Sequence, residues 1–160
     1  MSATETPVLS PIKTERSNAW TLPPTSERKG HLLSISDSPE DHKGLKRMID
    51  HKLWQLMTAN TCQTGIRRLE KDVDVVFCEC SLPDGSWKDV LNRIAFMARA
   101  PQLVVTSRLA DAYLWSEVLN LGGFDVLAKP LAEKEVQQVL AAASRYRIQS
   151  GHRVRTAGMM

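Results

Sequence analysis

Glu79 stands between two cysteines in the run Val-Val-Phe-Cys-Glu-Cys-Ser-Leu-Pro-Asp-Gly, and the first question is which of the three does chemistry. Along an extended strand alternate side chains share a face, so Cys78 and Cys80 fall together and Glu79 lies opposite. A C-x-C pair can ligate zinc, but no second ligand pair stands at suitable spacing, and His31, His42 and His51 lie far upstream. The third cysteine, Cys62, makes the count odd, and none lies in the tails, which does not fit a secreted disulfide framework. The thiols therefore read as small apolar core residues. Glu79 is left as the carboxylate at the end of the strand. Other reactive groups follow other apolar runs: Ser36 and Asp37 after HLLSI, Thr106 and Ser107 after QLVV, Lys129 and Pro130 after FDVLA. Brought to one edge, these acids, hydroxyls and an amine form a charged pocket.

The elements that must bring them there alternate between two periods. HLLSIS is a short strand, and Ser38-Pro39-Glu40-Asp41 opens a helix with a capping serine, a proline in the first turn and early acids. That helix turns Leu45, Met48 and Ile49 inward. LWQLMTA is a second strand, and residues 61 to 70 form a helix with Ile66 and Leu69 inward. Val73 to Cys78 is apolar on both faces, as a central parallel strand tends to be. Trp87, Val90, Leu91 and Ile94 recur at helical spacing, with Trp87 in the core. QLVVT is the fourth strand, and Leu114, Val118 and Leu121 line a helix that stops at Gly122-Gly123. FDVLAK is the fifth strand, and Val136, Val139, Leu140 and Ala143 stripe the last helix. Five β-α units imply an α/β fold with a parallel sheet, helices on both faces and right-handed crossovers. Functional groups in such folds gather at the carboxyl ends of the strands.

Ser-Asp-Ser-Pro after strand one, D-V-V-F-C-E-C-S-L-P-D-G, V-V-T-S and F-D-V-L-A-K-P stand in that order from Gly30 to Arg147. In this arrangement the chain resembles the receiver domain of two-component response regulators. The resemblance implies a flavodoxin-like, CheY-like doubly wound sheet of strand order 2-1-3-4-5. It also implies phosphorelay chemistry: a strand-three aspartate accepts a phosphoryl group from a histidine kinase, and two strand-one acids help to hold Mg²⁺. A Thr or Ser after strand four and a lysine after strand five bind the phosphoryl oxygens, and a strand-five aromatic turns inward. Carried over, Asp37 is the remaining strand-one acid, Thr106 the hydroxyl and Lys129 the amine.

Three positions depart from the pattern. Ser36 replaces the first strand-one acid, Glu79 stands at the phosphoacceptor position, and Val126 stands at the switch position. The first change removes a charge from a site for a hard cation, leaving Asp37, Glu79 and Ser81 as a weak or absent metal site. Glu79 carries its carboxylate about 1.5 Å further out than an aspartate. In-line phosphoryl transfer depends on positioning, and a misplacement of about 1 Å costs roughly a hundredfold. Val126 is β-branched, restricted in χ1, and has no ring to swing. The expectation is a pseudo-receiver: no enzyme, no required cofactor, working by protein binding independently of phosphorylation. Glu79 paired to Lys129 either imitates the phosphorylated charge state or only satisfies a buried amine. The alternative is a working phosphorelay receiver whose acceptor is Glu79, Ser81 or Asp84.

Composition fits this reading. At 160 residues the chain is long enough for one domain with a proper core, and no apolar stretch approaches a bilayer span. Residues 1–29 are polar and proline-punctuated without a signal-peptide core, and are expected to be a disordered leader of a cytoplasmic protein. Residues 30–147 are the receiver-like domain, and 148–160 a basic flexible tail. No acid follows Glu135, whereas Arg145, Arg147, Arg153 and Arg155 do. Such a tail can attract nucleic acid, but the last residues are too few for a DNA-reading output domain. The expected partner is a signalling protein, either a histidine kinase or an output protein, and dimerisation is compatible with this. Tyr113 and Trp115 flank the inward stripe of their helix and are the expected anchors of the partner surface.

Overall fold

The computed structural model describes residues 28–158, with side chains described as far as Arg145. Five strands, β1 (Gly30–Ile35), β2 (Trp54–Ala59), β3 (Val75–Glu79), β4 (Gln102–Ser107) and β5 (Asp125–Ala128), form one parallel sheet of order β2-β1-β3-β4-β5. The helices are α1 (Pro39–Met48), α2 (Cys62–Arg68), α3 (Trp87–Ile94), α4 (Ala112–Leu121) and α5 (Glu133–Gly158). This is the expected doubly wound, flavodoxin-like architecture.

Strand alternation divides the core. Leu33, Ile35, Val76, Cys78, Leu103 and Val105 pack beneath α2, α3 and α4, with Trp87, Val90, Ile94, Leu114 and Val118. Leu32, Val75, Phe77, Val104 and Leu127 pack beneath α1 and α5, with Leu45, Ile49, Val136, Val139 and Leu140. Both faces are covered, so the central strands carry apolar residues at consecutive positions.

Some local expectations are corrected. Ser38 occupies the N-cap of α1, but its side chain makes no capping bond; the first turn closes through Asp41 N–H to the Ser38 carbonyl at 3.1 Å. Leu121 does not point inward and is 52% exposed. The turn after α4 folds back beneath Val118, where Gly123 N–H reaches the Val118 carbonyl at 2.8 Å, closing the core before Leu121. Gly122 makes this reversal at φ 108°, a left-handed conformation suited to glycine. A two-residue antiparallel ladder, Ser81–Leu82 with Gly85–Ser86, follows β3 and carries no periodic signal that would announce it. The backbone of α5 is helical through Gly158, across the segment expected as a tail. Apart from residues 28 and 29 the expected leader lies outside the described residues. Arg28 makes a 2.7 Å ion pair with Asp72. Among the described residues no helix is long and apolar enough to cross a membrane.

Candidate functional site

Ser36, Glu79, Thr106 and Lys129 reach one place because of strand parity. Residues 32 and 34 on β1, 75 and 77 on β3, 104 on β4 and 127 on β5 turn toward α1 and α5. Continuing each alternation brings Ser36, Glu79, Thr106 and Lys129 out on that same face at the carboxyl edge. Glu79 and Thr106 are register partners across β3 and β4, and Lys129 N–H donates to the Ser107 carbonyl at 3.0 Å. The Lys129–Pro130 peptide is cis.

Two carboxylates meet the Lys129 ammonium: Glu79 pairs with it through Oε1, and Asp41 Oδ2 lies 2.5 Å from Nζ. Lys129 is only 10% exposed, Glu79 15% and Asp41 20%. Ser36 Oγ donates to the same Asp41 oxygen at 2.6 Å while accepting the Ser38 N–H at 3.1 Å. His42 clamps the end of β1, with Nε2 2.9 Å from the Ser36 carbonyl oxygen and Nδ1 3.0 Å from Ser34 Oγ. Burial pushes the Asp41 carboxyl upward, but hydrogen bonds from Lys129 and Ser36, with the fields of Lys129 and His42, outweigh it and leave Asp41 below its usual value.

Sequence reasoning missed Asp41. By sequence it is only an early helix acid, whereas in the fold it supplies the second carboxylate to Lys129. The available signal was that Ser36 faces α1, whose first turn must pass over it. Asp37, expected as the pocket acid, is exposed at the rim and has no hydrogen bond or ion pair among the described residues. Asp37, Glu79, Ser81 and Lys129 line an open cleft of about 480 Å³ with Arg108, Leu109 and Leu114. Thr106 lies behind them, in a cavity of about 10 Å³ shared with Ser34, Ser36, Asp41 and Lys129. Asp84 serves elsewhere: its carboxylate accepts the Cys62 and Gln63 N–H groups at 2.7 and 3.0 Å, capping α2, and these bonds lower its pKa.

The cysteines sit on the opposite face from Glu79. Cys78 is fully buried, and Cys80 is half-buried at the cleft wall. Burial raises all three thiols, Cys78 furthest, so neutral thiols rather than thiolates are favoured. Among the described residues no group of three or more His, Cys, Asp or Glu converges as a metal-ligand set. The donors do not fit a family-type Mg²⁺ site: Ser36 is neutral, Asp37 lies exposed at the rim of the cleft, and Lys129 pairs with both Glu79 and Asp41. Val126 is half-buried against the core below α4. Tyr113 is 79% and Trp115 48% exposed, and Trp115 Nε1 donates to Asp125 Oδ1 at 3.3 Å.

Known proteins share this arrangement of elements. A family model described as the response regulator receiver domain matches residues 32–141. The chain is 31% identical over 115 residues to the transcriptional regulatory protein KdpE of Mycobacterium tuberculosis (strain ATCC 25618 / H37Rv). That match covers 71% of this chain and 50% of KdpE, so the chain spans about half the length of that relative. A signal receiver domain of an HD domain-containing protein from Pseudomonas fluorescens Pf-5 superposes with a TM-score of 0.71 at 20% identity, covering 79% of this chain and 94% of its own. A chain of the CheX–CheY–BeF3–Mg complex from Borrelia burgdorferi gives 0.65 at 19% identity, covering 71% and 87%. With the sheet order, the strand-end constellation and a family match over most of its length, the chain belongs to the response regulator receiver domain family.

Proposed function

We propose that this chain is a pseudo-receiver of two-component signalling, which binds a protein partner without accepting a phosphoryl group. The observation that carries the reading is the Lys129 ammonium held by two carboxylates, Glu79 and Asp41. In a receiver this amine neutralises an incoming phosphoryl group; here its charge is already met from within the chain. Glu79 at the acceptor position adds a displaced nucleophile, and phosphoryl transfer is sensitive to position. The reading requires no Mg²⁺ and treats the chain as a binding module rather than an enzyme. In this reading its partner is a signalling protein, either a histidine kinase or an output protein, and the module works in the cytoplasm. Tyr113 and Trp115 support a partner surface on α4, because both rings reach solvent where aromatic anchors are favoured.

The test is incubation with acetyl phosphate and Mg²⁺, followed by intact mass and peptide mapping. No stable phosphoryl adduct is expected at Glu79, Ser81 or Asp84. Ready labelling at Glu79 would establish a working phosphorelay receiver instead.

A further inference from the structure

The head of the sheet contains a cation supplied by the chain itself. Asp41 from α1 and Glu79 from β3 converge on the Lys129 ammonium, with all three groups largely withdrawn from water. An ammonium offers three donors and no acceptor, so two carboxylates suit it well. Asp41 Oδ2 also receives the Ser36 hydroxyl, which is itself fixed by the Ser38 N–H. The acid is thereby oriented from one side by β1 and engaged from the other by Lys129. Behind the amine the cavity of about 10 Å³ accommodates at most one water, so an ion can approach the pair only from the open cleft that Asp37, Glu79, Ser81 and Lys129 line.

We infer that the Lys129 ammonium is the resident cation of this site, occupying the place between two carboxylates that a divalent ion would otherwise take, and that Asp41 is the positioning residue that keeps it there. The charges around it support this. Asp41 and Glu79 against Lys129 leave one net negative charge, the hydroxyls of the inner cavity on Ser34, Ser36 and Thr106 are neutral, and Asp37 and Arg108, of opposite charge, line the open cleft outside. A divalent ion entering this space must either expel a paired ammonium or lie beside it, and like charges at close range in a poorly solvated site repel strongly. Without the ammonium, the same two carboxylates would present two net negative charges, the kind of set with which Mg²⁺ or Mn²⁺ binds while keeping several waters. The inference deepens the pseudo-receiver reading and rests on it for its biological sense. Its test uses metal alone and no phosphodonor, so the two can fail separately.

The full chain is titrated with Mn²⁺, followed by water-proton relaxation. The unmutated chain is expected to show no saturable site through the millimolar range. Lys129→Met is expected to gain one saturable site, roughly tenfold tighter or more, and Lys129→Met/Asp41→Asn to lose it again. Saturable Mn²⁺ binding to the unmutated chain that broadens the Glu79 and Ser36 amide signals would overturn the inference, as would a Lys129→Met variant that binds no better than its parent. If the variant does not fold, competitive labelling of Lys129 by acetic anhydride decides. Asp41→Asn should raise its reactivity several-fold, with Asp41→Glu restoring part of the protection. Equal labelling of Asp41→Asn and parent would remove Asp41 from the role.

Discussion

Asp41 titrates under opposed influences: burial favours its neutral form, while Lys129 and Ser36 favour the anion and prevail. Its pKa in the folded chain therefore lies below that in the unfolded chain. A group shifted in this direction contributes stability above the unfolded carboxylate value, near pH 4, and loses it as pH falls through the folded value. Lys129→Met removes the chief stabilising partner and leaves burial, so the Asp41 carboxyl should titrate at higher pH than in the parent. Its carboxyl carbon shift, followed by NMR, provides the measurement; coincident curves would show that the pair does not form in solution. Asp41 was also the least legible member of the site. Ser36, Glu79, Thr106 and Lys129 could be found because each ends an apolar strand run. Asp41 reaches them from a helix, and its meaning depends on which side of the sheet that helix covers.

Elements were legible where burial imposes a period, and less so where a turn or close approach decides. The stripe of Val136, Val139, Leu140 and Ala143 is buried as expected, whereas Leu121 is not, because the backbone beyond α4 closes under Val118. Gly65 is a close-approach case within α2. A Cβ there would come within 2.4 Å of Ile35 Cδ1 on β1. Gly65→Ala should therefore destabilise the fold by about 1–3 kcal/mol despite the better helix propensity of alanine, because overpacking forces Ile35 or the helix aside. Urea unfolding measures this, and an unchanged or raised midpoint would show that Ile35 repacks freely. Two polar contacts add to the packing of Leu114 and Val118 beneath α4: Lys88 on α3 pairs with Glu117 at 2.7 Å, and the Trp115 indole reaches Asp125 on β5. Neither partner lies at a position that hydrophobic periodicity marks.

At the scale of the molecule, the parallel order and the location of the site at the carboxyl edge followed from five alternating units and the handedness of their crossovers. The partner face is a separate matter, because it depends on which side chains remain outside. Tyr113 and Trp115 do so on α4, and Val126 beneath that helix has no ring to move. Affinity for the native partner is therefore expected to be the same with and without acetyl phosphate. Trp115→Ala or Tyr113→Ala should weaken it, with a loss of about 2 kcal/mol or more where the ring is a true anchor. A calorimetric titration with each variant decides; phosphodonor-dependent affinity, or full binding by both variants, would count against this surface. The hydrogen bond between Ser36 and Asp41 also sets what position 36 tolerates. An acid at position 36 would put a second carboxylate where a hydroxyl now lies 2.6 Å from the first, and like charges that close cannot both ionise cheaply. Relieving that repulsion by changing Asp41 would weaken the hold on Lys129, so positions 36, 41 and 129 are coupled. Substitutions at positions 36 and 41 are therefore expected to be non-additive, each changing what the other costs.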